Sequence, residues 1–128
     1  MTPHVIQTRH VLAVKDLAAS ARYYLEVLGF QRDFAVEGWE FLSLGNFKVM
    51  LGECRDEVPA SAIGNHSYFA HVLVENVDEL FHAYDERGAK FLFRAQDKPW
   101  GLREFGVETP DGHRLCFGQT INAQPRAS

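Results

Sequence analysis

The sequence predicts an α+β fold made of two βαβββ modules. Three observations carry that reading. Strand-like and helix-like stretches follow the order strand, helix, three strands, and the order restarts after a polar linker. The tripeptide His10-Val11-Leu12 returns as His71-Val72-Leu73, an offset of 71 − 10 = 61 residues. The helical pattern of each module stops at a glycine, Gly29 in the first and Gly88 in the second. A repeat of this kind implies similar modules whose sheets stack into one curved surface.

The first module spans residues 7–53. Gln7 to Val14 is rich in β-formers and leads into Asp16, a side chain suited to an N-cap. Leu17, Ala21, Tyr24, Leu25 and Leu28 then recur at helical spacing. Three short β-like segments follow: Phe30 to Val36, Trp39 to Leu44, and Phe47 to Glu53. Gly38 and the pair Gly45-Asn46 separate them as hairpin punctuation. Residues 54–67, with Pro59 and Gly64, read as a linker.

The second module spans residues 68–119. Tyr68 to Glu75 is strand-like, and Asn76 with Glu79 has capping-box spacing. Val77, Leu80, Phe81 and Tyr84 form one helical face, and Ala89 to Arg94 is the next strand. The stretch from Pro99 to Phe117 reads as a hairpin. A Trp-Gly approach leads to a strand from Arg103 to Thr109, a tight turn at Pro110-Asp111-Gly112, and a return through Leu115, Cys116 and Phe117. Residues 120–128 read as a frayed tail. His66, His82 and His113 fall in the linker, on a helix and in a turn, and read as surface residues.

At 128 residues and 46% hydrophobic, the chain is long enough for a core without staples. Its formal charge of −4 argues against a nucleic-acid partner. Cys54 and Cys116 follow no CxxC spacing, no apolar leader opens the chain, and no run approaches a membrane span. The expectation is a cytoplasmic protein with two reduced thiols and no membrane partner. No phosphate-binding glycine loop, nucleophile elbow or hydrolase triad stands out.

Four patches carry a resemblance. They are Leu28-Gly29-Phe30-Gln31-Arg32-Asp33-Phe34, Val77-Asp78-Glu79-Leu80, Pro99-Trp100-Gly101-Leu102-Arg103-Glu104-Phe105, and the turn Thr109-Pro110-Asp111-Gly112-His113. In this order they resemble the vicinal oxygen chelate superfamily of glyoxalases, extradiol dioxygenases and antibiotic-resistance proteins, and most of all the bleomycin-resistance proteins. The resemblance implies half-barrel sheets whose concave faces hold a ligand or metal. It also implies a homodimer with clefts at the subunit boundary.

In metal-dependent members, ligands sit on the first and fourth strands of each module. Carried over by position, those places fall on His10, Met50, His71 and Cys116. The glyoxalase type wants two carboxylates here, and the dioxygenase type needs at least the one where Cys116 stands. The resemblance therefore implies no cofactor. The alternative is a metal-dependent enzyme holding a divalent ion such as Zn or Fe on His10, His71 and Cys116.

Phe34, Trp39 and Trp100 match places where the resistance proteins present rings to a flat ligand, a task suited to offset stacking. Met50, Arg103, Glu104 and Cys116 complete the expected ligand-binding set. Glu37, Glu40, Asp97 and Glu104 lie near these rings in sequence and would attract a cation. Arg103 either pairs within its strand or meets a ligand anion. The expected function is non-enzymatic: sequestration of a planar, cationic, bleomycin-like small molecule, with no catalytic residues.

Overall fold

In the computed structural model, residues 4, 6–56, 58–63 and 68–121 are described. Residues 122–128 of the expected tail, together with Gly64 and His66 of the linker, lie outside the described residues; Thr120, expected in that tail, instead closes the last strand. The chain divides into two compact units, Met1–Pro59 and Ala60–Ser128.

The first unit contains β1 (His10–Val14), α1 (Leu17–Arg22, continued by a π-helical turn Tyr23–Val27), β2 (Gln31–Val36), β3 (Trp39–Leu44) and β4 (Phe47–Glu53). Its sheet order is β1-β4-β3-β2, with β1 parallel to β4 and the other pairs antiparallel. The second unit opens with a 3-10 turn, Ala60–Ile63. It continues as β5 (Tyr68–Leu73), α2 (Val77–Glu86), β6 (Lys90–Asp97), β7 (Leu102–Glu108) and β8 (Arg114–Thr120). Its order, β5-β8-β7-β6, repeats that of the first. The expected α+β architecture is present in both units.

Local chemistry explains the element ends. Asp16 accepts a hydrogen bond from the Ala19 N–H at 3.1 Å, and Asn76 accepts one from the Glu79 N–H at 3.2 Å. Each cap satisfies a donor that the first helical turn leaves orphaned. At the β7–β8 turn, Gly112 donates to the Thr109 carbonyl (2.8 Å) and Thr109 donates to the His113 carbonyl (2.9 Å). Gly112 sits at φ 84°. That combination, a tight turn closed by a left-handed residue, requires glycine.

Each helix packs on one face of its own sheet. In the first unit Tyr24 and Leu28 are buried with Leu12, Val14, Leu42, Val49 and Leu51. In the second, Tyr84 meets Phe105 and Phe117 edge-on, and Phe81 meets Phe105. The helix-facing row of β7 and β8 is Phe105, Val107, Leu115 and Phe117, all fully buried.

The register corrects the expected repeat. The N-caps are separated by 76 − 16 = 60 residues. The strand pairings agree with 60: Val11 pairs with Met50 as His71 pairs with Cys116, and Ala13 pairs with Gly52 as Leu73 pairs with Gly118. The shared tripeptide, at an offset of 61, is therefore one residue out of structural step. A one-residue slip turns a side chain to the other face of a sheet. His10 pairs with buried Val49, on the row of Leu12 and Val14, and meets Phe47 edge-on at 5.4 Å. It faces the helix side. The counterpart of His71 is Val11.

Candidate functional site

The site grows from three adjacent strands of the second unit. Pairing sets Glu104 of β7 opposite Gly118 of β8, Gly106 opposite Cys116, and His71 of β5 beside Cys116. Strand alternation sends Phe105, Leu115 and Phe117 toward α2, so Glu104, Cys116 and His71 share the opposite face. Glycines clear that face. A Cβ on Gly118 would stand 3.1 Å from Glu104 Cγ and 3.4 Å from His71 Cε1. One on Gly106 would stand 2.7 Å from Phe93 Cε1.

On this cleared floor His71 Nε2 lies 2.7 Å from Glu104 Oε2. The Glu104 residue is 5% exposed, Cys116 is 9% exposed, and the His71 side chain is 44% exposed. One imidazole nitrogen, one carboxylate oxygen and the Cys116 sulfur all lie within 4.8 Å of one another. Burial pushes the Cys116 thiol up to about 12, helped by the charge of Glu104 and a hydrogen bond to it. Burial also raises the Tyr68 phenol, with the Cys116 charge next in size.

Above this floor opens a cleft of about 670 Å³, with Tyr68, Phe93, Trp100 and Leu102 among its walls. Lys98 reaches over it, its ammonium 4.4 Å from the Phe93 ring centre and 5.8 Å from that of Trp100. Trp100 is 61% exposed at the rim. The cleft is an apolar, aromatic hollow with a buried carboxylate at its base.

The expected ligand-binding residues are divided. Trp100, Glu104 and Cys116 come together in this cleft. Phe34, Trp39 and Met50 belong to the first unit. Phe34 stacks on Phe41 at 4.2 Å, and pairing carries that row through Met50 to Val11. Trp39 lies flat over Gly52, where a Cβ would come within 2.7 Å of its ring, and borders a hollow of about 280 Å³.

Arg103 is a correction. Alternation turns it to the α2 side, where Nε donates to Asp78 at 2.8 Å and Nη1 donates to Asp97 at 2.9 Å. Those two carboxylates, Asp78 first, raise its pKa. Among the acids expected to attract a cation, Asp97 is thus engaged by Arg103, and Glu40 accepts from Arg32 at 2.7 Å. Glu104 alone of the four lines the cleft. His113 is a second correction. It is half-buried, and its Nδ1 has no hydrogen-bond partner among the described residues.

Sequence reasoning missed the His71–Glu104 contact and the cleft positions of Tyr68, Phe93 and Lys98. One signal was available: a lone carboxylate, Glu104, beside the apolar run Phe105-Gly106-Val107. Ionised groups in such runs are rarely buried without a partner.

The four-position metal set implied by the resemblance does not fit the first unit. The face opposite α1 carries Val11 and Met50 there, an aliphatic chain and a thioether, while His10 faces the helix. Neither Val11 nor Met50 offers an oxygen or imidazole donor to a hard divalent ion.

Comparison with known proteins agrees with the fold. Residues 3–117 match the model of the Glyoxalase/Bleomycin resistance protein/Dioxygenase superfamily. The chain belongs to that superfamily. It is similar to the bleomycin resistance proteins of Geobacillus stearothermophilus and Staphylococcus aureus (strain MRSA252). Each is 26% identical over 132 residues, covering 93% of this chain and 100% of the relative. Among solved structures it is similar to TioX from Micromonospora sp. ML1 (30% identity, TM-score 0.68, 89% of this chain and 99% of that one). The bleomycin-binding protein of Streptomyces verticillus, solved with copper(II)-bleomycin, shares the fold at 18% identity and TM-score 0.68, over 94% of this chain and 99% of that one. Among the described residues no helix is long and apolar enough to cross a membrane.

Proposed function

We propose that this protein is a non-enzymatic binder that sequesters a planar, cationic small molecule of the bleomycin type in the cleft of its second unit. The observation that carries the reading is the buried Glu104 carboxylate at the base of an aromatic hollow. Rings stack on a flat ligand, and a carboxylate in low dielectric favours a cationic or N–H-donating group beneath it. Sequestration needs no bond making: bound drug is withdrawn from its target in proportion to affinity. The curated bleomycin resistance proteins, matched over their whole length, support the same ligand class.

The reading includes a homodimer in the cytoplasm. Tyr68 and Trp100 leave large apolar surface exposed at the rim, which a second subunit would cover. Reducing conditions would keep Cys54 and Cys116 as free thiols. An enzyme built on His10 and His71 has weaker support, because His10 sits on the helix side of its sheet.

Calorimetric titration with bleomycin tests the proposal. Saturable binding is expected, weakened in Glu104→Gln, with the drug recovered chemically unchanged. Absence of heat and of competition would remove bleomycin, and recovery of a modified drug would remove the non-enzymatic reading.

A further inference from the structure

We propose that the Lys98 ammonium is a second charged subsite of the cleft, one that takes a carboxylate on the edge of the planar ligand stacked there. The ligand class this names is a flat aromatic carrying both a cationic or N–H-donating group and a monoanionic acid. The proposal rests on the cleft reading and deepens it, because it assigns a group of the ligand that Glu104 does not meet.

Three observations carry the subsite. The first is that the position of Lys98 is built. Its backbone N–H donates to the Leu102 carbonyl at 2.7 Å, and the Gly101 N–H donates to the Lys98 carbonyl at 3.1 Å. Gly101 closes that turn at φ 87°, a left-handed conformation that suits glycine. The connection from β6 to β7 thus fixes where this half-buried side chain starts.

The second is that the ammonium lacks an anionic partner. It carries three N–H donors. Its hydrogen bond among the described residues goes to Gln96 Oε1 at 3.4 Å, long for a charge-assisted bond. The Phe93 and Trp100 rings, centred 4.4 and 5.8 Å away, hold it by cation–π attraction. Asp97, the adjacent carboxylate, accepts from Arg103 instead. A cation in an apolar hollow gains most from an acceptor of opposite charge.

The third is the division of charge along the cleft. Glu104 lies at the floor and Lys98 over it, with apolar walls around them. The Lys98 charge reaches the floor, where it opposes the burial and the Glu104 charge that raise the Cys116 thiol. A ligand in this field turns its positive or N–H edge inward and its negative edge toward Lys98. One ammonium balances one negative charge, so a carboxylate fits where a dianionic phosphate would stay partly uncompensated.

The test titrates the full chain with a matched pair of probes, 4-aminoquinaldic acid and 4-aminoquinaldine. They share one flat cationic ring and differ by a carboxylate in place of a methyl. Both should bind by calorimetry, the acid more tightly by roughly tenfold. That advantage should disappear in Lys98→Met, which keeps an unbranched stem against the rings, and survive in Lys98→Arg. Equal affinities in the wild type, an advantage that persists in Lys98→Met, or no binding of either probe would overturn the subsite. Circular dichroism checks folding, and Lys98→Gln replaces Lys98→Met if that variant fails to fold. Bleomycin calorimetry reads the cleft separately. Bleomycin binding without a carboxylate advantage removes the subsite alone, whereas the advantage without bleomycin binding upholds it and removes only bleomycin.

Discussion

His71 Nε2 and the Glu104 carboxylate meet at 2.7 Å across β8, the strand that carries Cys116 between them. The contact joins a half-exposed imidazole to a carboxylate that is almost wholly buried. Deleting the imidazole takes one donor from a carboxylate in an apolar cleft and leaves it the Cys116 thiol. His71→Ala should therefore destabilise the fold by about 1–2 kcal/mol, below the figure for a fully buried pair because water reaches the His71 side. Urea unfolding checks this, and an unchanged midpoint would show that the contact contributes nothing in solution.

Gly106 predicts the opposite kind of fault. An alanine there would bring its Cβ within 2.7 Å of the Phe93 ring, a wall of the cleft. Gly106→Ala should cost about 1–3 kcal/mol through overpacking and displace the ring. Thermal unfolding reads the first effect and bleomycin affinity the second. A variant as stable as wild type would mean that Phe93 moves aside freely.

Trp100 separates binding from folding. At 61% exposed it adds little to the core, so Trp100→Ala should change stability by no more than about 0.5 kcal/mol. Loss of one stacking partner should weaken a planar ligand by about 0.5–1.5 kcal/mol, roughly 2- to 12-fold in Kd. Equal losses in stability and affinity would contradict its place at the rim.

His113 sets an acid limit. Burial lowers its pKa, with the Asp111 charge opposing, so the folded state holds the ring neutral where the unfolded chain, near 6.5, already takes a proton. The unfolded state binds more protons, and stability falls as pH drops through that value. His113→Gln should lose less stability than wild type between about pH 7.5 and about pH 5.5. Parallel curves for the two proteins would show that His113 does not contribute.

Much of the fold was legible because its signals are local. Asp16 and Asn76 announce the helix starts, Gly29 and Gly88 the stops, and Thr109 to Gly112 the last turn, each through neighbours a few residues away. Register was not legible. Nothing within β1 says whether His10 or Val11 shares a face with Met50, because that depends on pairing with a strand about 40 residues on. The shared His-Val-Leu tripeptide pointed to the wrong offset by one. The same limit hid Arg103, whose partner Asp78 lies 25 residues back. It hid the His71–Glu104 contact too, which exists only once β5, β8 and β7 lie in that order.

In the proposed drug-binding cleft Glu104 lies at the base and Trp100 at the rim. The chain has two tryptophans, so Trp39→Phe leaves Trp100 as the sole indole reporter. Titrating bleomycin into that variant should give a saturable change in Trp100 emission, shifted to higher drug concentration when Glu104→Gln is added. A flat emission curve, or one that the added substitution leaves unmoved, would contradict the account.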